Sequence, residues 1–245
     1  MKIVVIIPTY NEEKAIGSLI NVLEEEFLAI KGHYLSIVIV DGNSFDGTAG
    51  AVRVKMGECD NIYLITEKEK RGLGVAYIAG MNYAIRRLAA DAIIEFDGDF
   101  QHDPKDIKRL IAELDNGYDY VIGSRYVPGG EVPKEWEWHR KFLSRFGSLF
   151  IKWILWLPTN DNTSGLKLSR VKNFAEKLPL DENKILSRRH AYKIHLLYEM
   201  IQLGARVKEI PIKFLERKSG SSKSSLEDIL ESLKVALILF LKKWL

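Results

Sequence analysis

The sequence contains very little cysteine, with Cys59 alone among 245 residues. A single thiol excludes a framework of intrachain disulfides, and without a cluster of cysteine and histidine a structural zinc site is not expected. Charge of one sign is also scarce, because 36 basic and 33 acidic side chains leave a formal net charge of +3. So weak a basic excess gives no reason to expect nucleic acid as a partner.

Long apolar runs and two common nucleotide-binding motifs are missing as well. No apolar stretch approaches the roughly 20 residues needed to cross a bilayer, and the run at 3–7 is too short for a signal peptide. The absence of G-x-x-x-x-G-K-[ST] argues against kinases and ATPases, and the absence of G-x-G-x-x-G after the first apolar run argues against dinucleotide-binding dehydrogenases. We therefore expect a soluble or peripheral protein on the cytoplasmic side.

Short apolar runs alternate with helical patterns through the first hundred residues. This alternation indicates βαβ units and an α/β fold, with a mostly parallel, Rossmann-like sheet flanked by helices. The polar residues after successive strands then meet at one edge of the sheet, where open α/β sheets bind their ligands. The predicted segments are strands at 3–7, 37–40, 62–65 and 92–96, and helices at about 12–27, after 48, and at 75–88.

The most distinctive stretch is 93–104, where an apolar run ends in closely spaced carboxylates. Asp97 and Asp99 are two residues apart and would point the same way in an extended chain. Two hard oxygen donors suit Mg²⁺ or Mn²⁺, and such an ion would neutralise a diphosphate. Asp103 and Pro104 are expected to open the next helix as its N-cap and first helical residue. A solvated acidic turn is the alternative interpretation.

Five motifs, in this order along the chain, resemble those of inverting family-two glycosyltransferases. Among these the sequence is most similar to dolichyl-phosphate or polyprenyl-phosphate mannosyltransferases, over residues 1 to about 223. The resemblance implies a GT-A fold, a nucleotide-sugar donor, a divalent metal ion and a lipid monophosphate acceptor. The motifs are I-I-P-T-Y-N-E at 6–12, V-D with N-S-F-D-G-T at 40–48, R-G-L-G at 71–74, D-G-D-F-Q-H at 97–102 and G-S-R-Y at 123–126.

The resemblance also assigns roles to individual residues. By it the nucleoside pocket comprises Pro8, Tyr10, Glu12 and Asp41. The metal ion and diphosphate would be bound by Asp97, Asp99 and Gln101. The acceptor phosphate would be bound by Arg125, by Ser164 in the segment D-N-T-S-G-L-K, and by Arg217 and Lys223 in a mobile loop at 216–223. The catalytic set would be Asp97, Asp99, Arg125 and Arg217.

Arg125 carries a qualification, and the sequence departs from the family pattern at two further positions. The guanidinium of Arg125 suits bidentate binding of phosphate oxygens, but a structural ion pair with a neighbouring carboxylate is an alternative. Lys167 stands where the family commonly has arginine, so the positive charge is kept but the bidentate guanidinium group is lost. Gly42 stands where the family commonly has a second aspartate, which leaves the choice of nucleotide open.

The reaction implied is transfer of a sugar, expected to be mannose from GDP-mannose, to dolichyl or polyprenyl phosphate. A single displacement inverts the anomeric carbon, so an α-linked donor gives a β-linked lipid phosphate. Two alternatives remain open. The donor could instead be UDP-glucose, or the chain could be a catalytically silent, nucleotide-binding subunit docked on a membrane.

Two segments are expected to bring the protein to a membrane surface, as a peripheral protein on the cytoplasmic face. Residues 141–157 combine an apolar stripe with adjacent basic residues, and residues 224–245 begin with a capping-box signature. We therefore divide the chain into a domain at 1–223 and a C-terminal amphipathic helix at 224–245. The alternative is that both helices pack on the sheet or on a partner, such as a membrane-anchor subunit. The first stripe comprises Phe142, Leu143, Phe146, Leu149, Phe150, Trp153, Ile154 and Leu157.

Overall fold

A computed structural model describes residues 1–216 and 226–242 of the chain. Seven strands in these residues are β1 Lys2–Thr9, β2 Tyr34–Asp41, β3 Ile62–Thr66, β4 Ala92–Glu95, β5 Tyr120–Ser124, β6 Lys167–Arg170 and β7 Val207–Pro211. They form one sheet in the order β3-β2-β1-β4-β6-β5-β7. Neighbouring strands are parallel, apart from β6, which is antiparallel to both β4 and β5. The prediction of a mostly parallel sheet is confirmed.

Helices cover both faces of this sheet. They are α1 Glu13–Leu28, α2 Thr48–Glu58, α3 Leu73–Arg86, α4 Asp106–Asp115, α5 Trp138–Leu155, α6 Tyr192–Gln202 and α7 Leu226–Lys242. Alternate residues of a strand point to opposite faces, so β1 divides its apolar side chains between two cores. Val4 and Ile6 join a core with α3, α5, α6 and α7. Ile3 and Ile7 join a second core with α1, α2 and α4.

The C-terminal helix α7 belongs to the first of these cores. Val235, Ala236 and Leu239 are fully buried, and α7 packs against α5 and α6. At its beginning, Arg189 from the segment before α6 donates to Asp228 at 2.9 Å. Among the described residues no helix has both the length and the apolar character needed to cross a bilayer.

Two local predictions near the acid cluster were wrong. Asp103 accepts the Lys105 N–H at 3.0 Å, as predicted for an N-cap, but Pro104 and Lys105 form a turn and α4 begins only at Asp106, two residues later than predicted. Strand β4 ends at Glu95, one residue earlier than predicted, so Asp97 lies beyond the strand and Asp99 lies in a turn rather than in extended chain. Phe100 takes a left-handed conformation there, with φ of 61°. We call residues 97–102 the acid turn.

Candidate active site

The acid turn lies at the edge of the sheet where the parallel strands end. Strands β1, β2 and β4 approach this edge with their carboxyl ends, which carry Thr9, Asp41 and Glu95. Strand β6 runs the other way, so its beginning lies there, preceded by Ser164 and Gly165. The antiparallel strand therefore brings a segment more than sixty residues away in sequence beside the acid turn.

Asp97 is surrounded by polar groups from three different elements. The hydroxyl of Tyr77, on α3, donates to Asp97 Oδ1 at 2.8 Å. The Nζ of Lys193, on α6, and the Nε2 of His102 each lie 3.5 Å from Asp97 Oδ2. Burial alone would raise the pKa of Asp97, but Lys193, with help from His102 and Tyr77, holds that pKa well below its usual range. The carboxylate is therefore ionised and held from several sides.

Gly165 packs directly against this carboxylate. A Cβ placed on Gly165 would lie 2.1 Å from Asp97 Oδ2 and 2.8 Å from His102 Nε2, which is far closer than atoms approach. The position accordingly requires glycine for a close approach of the backbone rather than for an unusual φ. The glycine of the D-N-T-S-G-L-K segment thus forms one wall of the Asp97 site.

A second layer of buried charges lies beneath Asp97. Tyr192 donates its hydroxyl proton to Glu95 at 2.6 Å, and Lys167 Nζ donates to the Lys193 carbonyl at 3.1 Å. Burial raises the pKa of Glu95 and lowers the pKa of Lys167 to about 8, while the charge of each partly opposes the shift of the other. Glu95, Lys167 and Lys193 are at most 5% exposed. Glu95 therefore stabilises the charges of both lysines where solvent cannot, although the two lysines repel each other.

The remaining predicted metal ligands, Asp99 and Gln101, are held by the acid turn itself. Asp99 Oδ1 accepts the Gln101 N–H at 3.0 Å, and the Gln101 side chain donates to the Leu215 carbonyl at 3.2 Å. In residues 1–216 and 226–242 no three His, Cys, Asp or Glu side chains cluster closely enough to hold a metal ion. Two carboxylates and one amide oxygen are ligands that suit Mg²⁺ or Mn²⁺. Phosphate oxygens of a bound substrate would complete the coordination, as is usual for Mg²⁺.

The predicted nucleoside residues lie at the ends of β1 and β2. Asp41 is 1% exposed and accepts hydrogen bonds from the Thr9 hydroxyl at 3.2 Å and the Ser44 hydroxyl at 2.6 Å. Lys70 Nζ lies 3.8 Å from the centre of the Tyr10 ring, a cation–π contact. Pro8 is the last but one residue of β1, and the Glu12 N–H donates to the Thr48 hydroxyl at 2.9 Å. The four predicted residues therefore share one corner of the edge.

On the predicted acceptor side, Arg125 is engaged with the protein. Its Nε and Nη2 each donate to Asp161 at 2.7 Å, and Nη2 also donates to Thr163 at 2.9 Å. Burial opposes the charge, but Asp161 outweighs burial and holds the pKa of Arg125 above its ordinary value. The structure thus contains the ion pair that the sequence analysis named as the alternative. Phosphate binding by Arg125 stays a prediction, and it would require the guanidinium to bind Asp161 and the phosphate together.

The other acceptor residues have different outcomes. Ser164 is 1% exposed and donates its hydroxyl proton to the Gly123 carbonyl at 2.5 Å, which joins the beginning of β6 to β5. Arg217 and Lys223 lie outside the described residues. The chain leading to them pairs with the acid turn, because the Leu215 N–H donates to the Gln101 carbonyl at 2.8 Å. The roles of all three residues stay predictions.

Sequence reasoning missed the residues that surround Asp97 from outside the motifs. Tyr77 and Lys193 come from α3 and α6, and Glu95 with Tyr192 forms the layer beneath. One signal was present in the sequence. Glu95, Lys167 and Lys193 are charges inside otherwise apolar stretches, and buried charges are expected to be paired.

Helix α5 turns its predicted apolar stripe away from the core. It buries Ser148, Ile151 and Leu155, whereas Phe146 is 53% and Trp153 71% exposed. Of the stripe, Leu157 is buried and Ile154 partly buried, so packing on the sheet accounts only for these two. Helix α7, which packs against α5, also exposes leucines. We call this surface the apolar face, and it comprises Trp138, Phe142, Leu143, Phe146, Leu149, Phe150, Trp153, Ile229, Leu230, Leu233, Leu237 and Leu241.

Helix α5, which carries most of the apolar face, also contacts the active-site edge. The hydroxyls of Tyr126, the residue after Arg125, and of Ser144, on α5, lie 2.5 Å apart. Arg145 on the same helix lies over the Tyr126 ring at 5.6 Å. Helix α5 is therefore joined to the end of β5, where Arg125 and Asp161 are found.

Solved structures with this architecture define the fold of the protein. Glucosyl-3-phosphoglycerate synthase from Mycobacterium tuberculosis, in complex with Mn²⁺, UDP and glucosyl-3-phosphoglycerate, superimposes with a TM-score of 0.67 at 15% identity, over 98% of this chain and 79% of that one. Mannosyl-3-phosphoglycerate synthase from Rubrobacter xylanophilus superimposes with a TM-score of 0.66 at 14% identity, over 99% and 74% of the two chains. The fold is that of a GT-A-like glycosyltransferase, as predicted.

Sequence comparison defines the family. The model for glycosyl transferase family 2 matches residues 4–177, and the chain belongs to this family. Polyprenol monophosphomannose synthase of Mycolicibacterium smegmatis is 35% identical over 234 residues, covering 95% of this chain and 84% of the relative. Undecaprenyl-phosphate mannosyltransferase of Micrococcus luteus is 33% identical over 229 residues, covering 92% and 88%. The predicted family is confirmed.

Proposed function

We propose that this protein is a metal-dependent inverting glycosyltransferase that transfers mannose from GDP-mannose to a polyprenyl or dolichyl phosphate on the cytoplasmic face of a membrane. The names of the two relatives support the sugar and the class of acceptor. The observation that carries the proposal is that α5, which carries most of the apolar face, is linked to the active-site edge through Tyr126 and Ser144. A lipid tail along α5 would leave its phosphate beside Arg125 and near the acid turn.

The chemistry needs no strong general base. A phosphate monoester is already an anion near pH 7, and its oxygen attacks the anomeric carbon while the bond to the nucleoside diphosphate breaks. The electron pair leaves with the diphosphate, and a divalent ion bound by Asp97, Asp99 and Gln101 would neutralise the charge that develops there. The protein's own task is to orient two anions that repel each other, which Arg125 and the predicted Arg217 and Lys223 serve.

The test is to incubate the purified full chain with Mn²⁺, undecaprenyl phosphate and either GDP-mannose or UDP-glucose, and to measure the nucleoside diphosphate released. Release of GDP with a β-linked mannosyl lipid, whose anomer is read by NMR coupling, is expected. Release of UDP would instead identify a glucosyltransferase. Nucleotide binding without turnover of either donor would identify a catalytically silent subunit.

The membrane part of the proposal has its own test. The full chain is expected to float with anionic liposomes, and salt should weaken that association because basic residues such as Lys141 and Lys152 flank the apolar face. If the protein stays in solution yet acts on a short-chain, water-soluble polyprenyl phosphate, the apolar face binds a membrane-anchor subunit instead.

A further inference from the structure

Two of the residues that hold Asp97 lie outside the family motifs. Tyr77 donates to Oδ1 from α3, and Lys193 approaches Oδ2 from α6. Tyr77 is fully buried and Lys193 is 5% exposed, whereas the Asp97 side chain is 23% exposed. The two partners therefore hold the carboxylate on its buried side. Its exposed side stays open toward the sheet edge where the donor is proposed to bind.

We propose that Tyr77 and Lys193 are positioning residues that fix the Asp97 carboxylate for the divalent ion and the donor diphosphate. This inference rests on the proposed metal role of Asp97. A metal-binding carboxylate must be held to within about half an ångström of its productive position. Loss of a group that orients such a ligand weakens metal affinity or activity by about 10- to 100-fold.

The fold supplies a matched control for each residue. Tyr77 and Tyr192 are both fully buried and their rings stack with centroids 5.4 Å apart, but the Tyr192 hydroxyl donates to Glu95 rather than to Asp97. Lys167 and Lys193 are likewise both buried lysines, and Lys167 Nζ donates to the Lys193 carbonyl. Each pair thus compares a substitution that touches Asp97 with one of similar size and burial in the layer beneath.

The experiment measures the affinity of GDP, and in parallel UDP, for the full chain by calorimetry, once in Mn²⁺ and once in EDTA. The ratio of the two dissociation constants reports how much the metal ion contributes. We expect Tyr77→Phe to reduce this ratio about 10-fold, while Tyr192→Phe stays within about 2-fold of the unsubstituted protein. Affinity in EDTA should be the same in all three proteins, because Tyr77 acts only through Asp97.

Lys193→Met and Lys167→Met provide the second comparison, with thermal unfolding recorded for each because a buried charge partner is lost. Lys193→Met should reduce the ratio and Lys167→Met should not. An unchanged ratio in both Tyr77→Phe and Lys193→Met, or equal losses within each pair, would overturn the inference and leave the proposed function intact. A ratio near one for the unsubstituted protein with both nucleotides would overturn the proposed metal site and the inference together.

Discussion

Single residues at the active-site edge show how much of the site depends on buried charge. Burial alone would raise the pKa of Asp97, but that pKa is held well below its usual range chiefly because Lys193 lies 3.5 Å from Oδ2. Asp99 is less exposed still, at 7%, and its Oδ1 closes the acid turn. The two acids therefore have different surroundings, which predicts different effects when each is changed.

Asp99→Asn is expected to weaken metal and donor binding together, because the amide removes one charged oxygen ligand while preserving size. We expect kcat/KM to fall about 100-fold or more, and the Mn²⁺-dependent part of donor affinity to fall with it. The measurement is the rate of nucleoside diphosphate release across a Mn²⁺ titration. Full turnover in excess EDTA by the unsubstituted protein would rule out the metal requirement.

Gly165→Ala is expected to reduce activity about 100-fold, because the added methyl group would displace the Asp97 carboxylate. Gly50→Ala is the control, since a Cβ on Gly50, in α2, meets nothing within 4 Å. Both variants should fold, as judged by circular dichroism, and only Gly165→Ala should lose turnover. Normal kinetics in Gly165→Ala would mean that Asp97 is free to shift without consequence.

The sequence located these acids but could not supply their surroundings. A run of apolar residues ending in Asp97 and Asp99 is a local signal, and parallel strands place it at a known edge. Tyr77 and Lys193 are brought there by the packing of α3 and α6, which depends on contacts far apart in sequence. The Arg125–Asp161 pair is non-local in the same way, and it is why the two interpretations of Arg125 could not be separated beforehand.

At the scale of elements, α5 is unusual because its apolar stripe is its exposed side. A helix normally buries such a stripe, yet α5 packs through Ser148, Ile151 and Leu155. The rings of Phe142 and Phe146 stack on each other at its surface, 5.6 Å apart. Exposed apolar surface of this extent marks a binding site for a membrane or another protein.

Replacing Phe146 and Trp153 together by glutamate is expected to reduce binding to anionic liposomes about 10-fold or more, because it adds negative charge and removes apolar surface. Thermal stability should hardly change, since both side chains are mostly exposed. Flotation of the variant measures the effect. Leu28→Glu, at a 78% exposed position on α1, is the control and should float like the unsubstituted protein. Equal binding by the double variant would exclude α5 as the membrane contact.

Element prediction succeeded where periodicity was strong and failed at a boundary. The 3.6-residue stripe predicted α5 correctly, but the same pattern fits a buried or an exposed apolar side, and only packing decides between them. The beginning of α4 was placed two residues too early. Asp103 does accept the Lys105 N–H as an N-cap would, but i→i+3 hydrogen bonds form a turn at Pro104 and Lys105 before the regular helix begins at Asp106.

At the scale of the whole molecule, the two cores on either side of the sheet share β1, β2 and β4. Helix α6 joins the active-site edge to the rest of the first core, since it carries Lys193 near its beginning and His195 two residues further along. His195 is 2% exposed, and its Nδ1 accepts the Leu186 N–H at 3.3 Å. Protonation of this histidine would therefore disturb the packing of α6.

The stability of the fold is expected to fall as pH falls from about 6.5 toward 4 because of His195. Burial, with the nearby charge of Lys242, lowers its pKa to about 4, so in this window the unfolded chain binds a proton that the folded protein does not. Between pH 7 and pH 5 this amounts to about 2 kcal/mol of lost unfolding free energy. The His195→Asn variant retains an acceptor near the position of Nδ1. Between pH 7 and pH 5 it should lose about 2 kcal/mol less unfolding free energy than the unsubstituted protein, as measured by urea titrations. Parallel losses would contradict the assignment.

The position of β6 has a consequence for the growing chain during synthesis. Strands β1 to β4 pair among themselves as soon as residue 95 has emerged, but β5 has no neighbour on their side of the sheet until β6 enters between β4 and β5. That insertion is made by only four residues, Lys167–Arg170. A chain interrupted before Lys167 would display an open strand edge, the kind of surface through which incomplete chains aggregate.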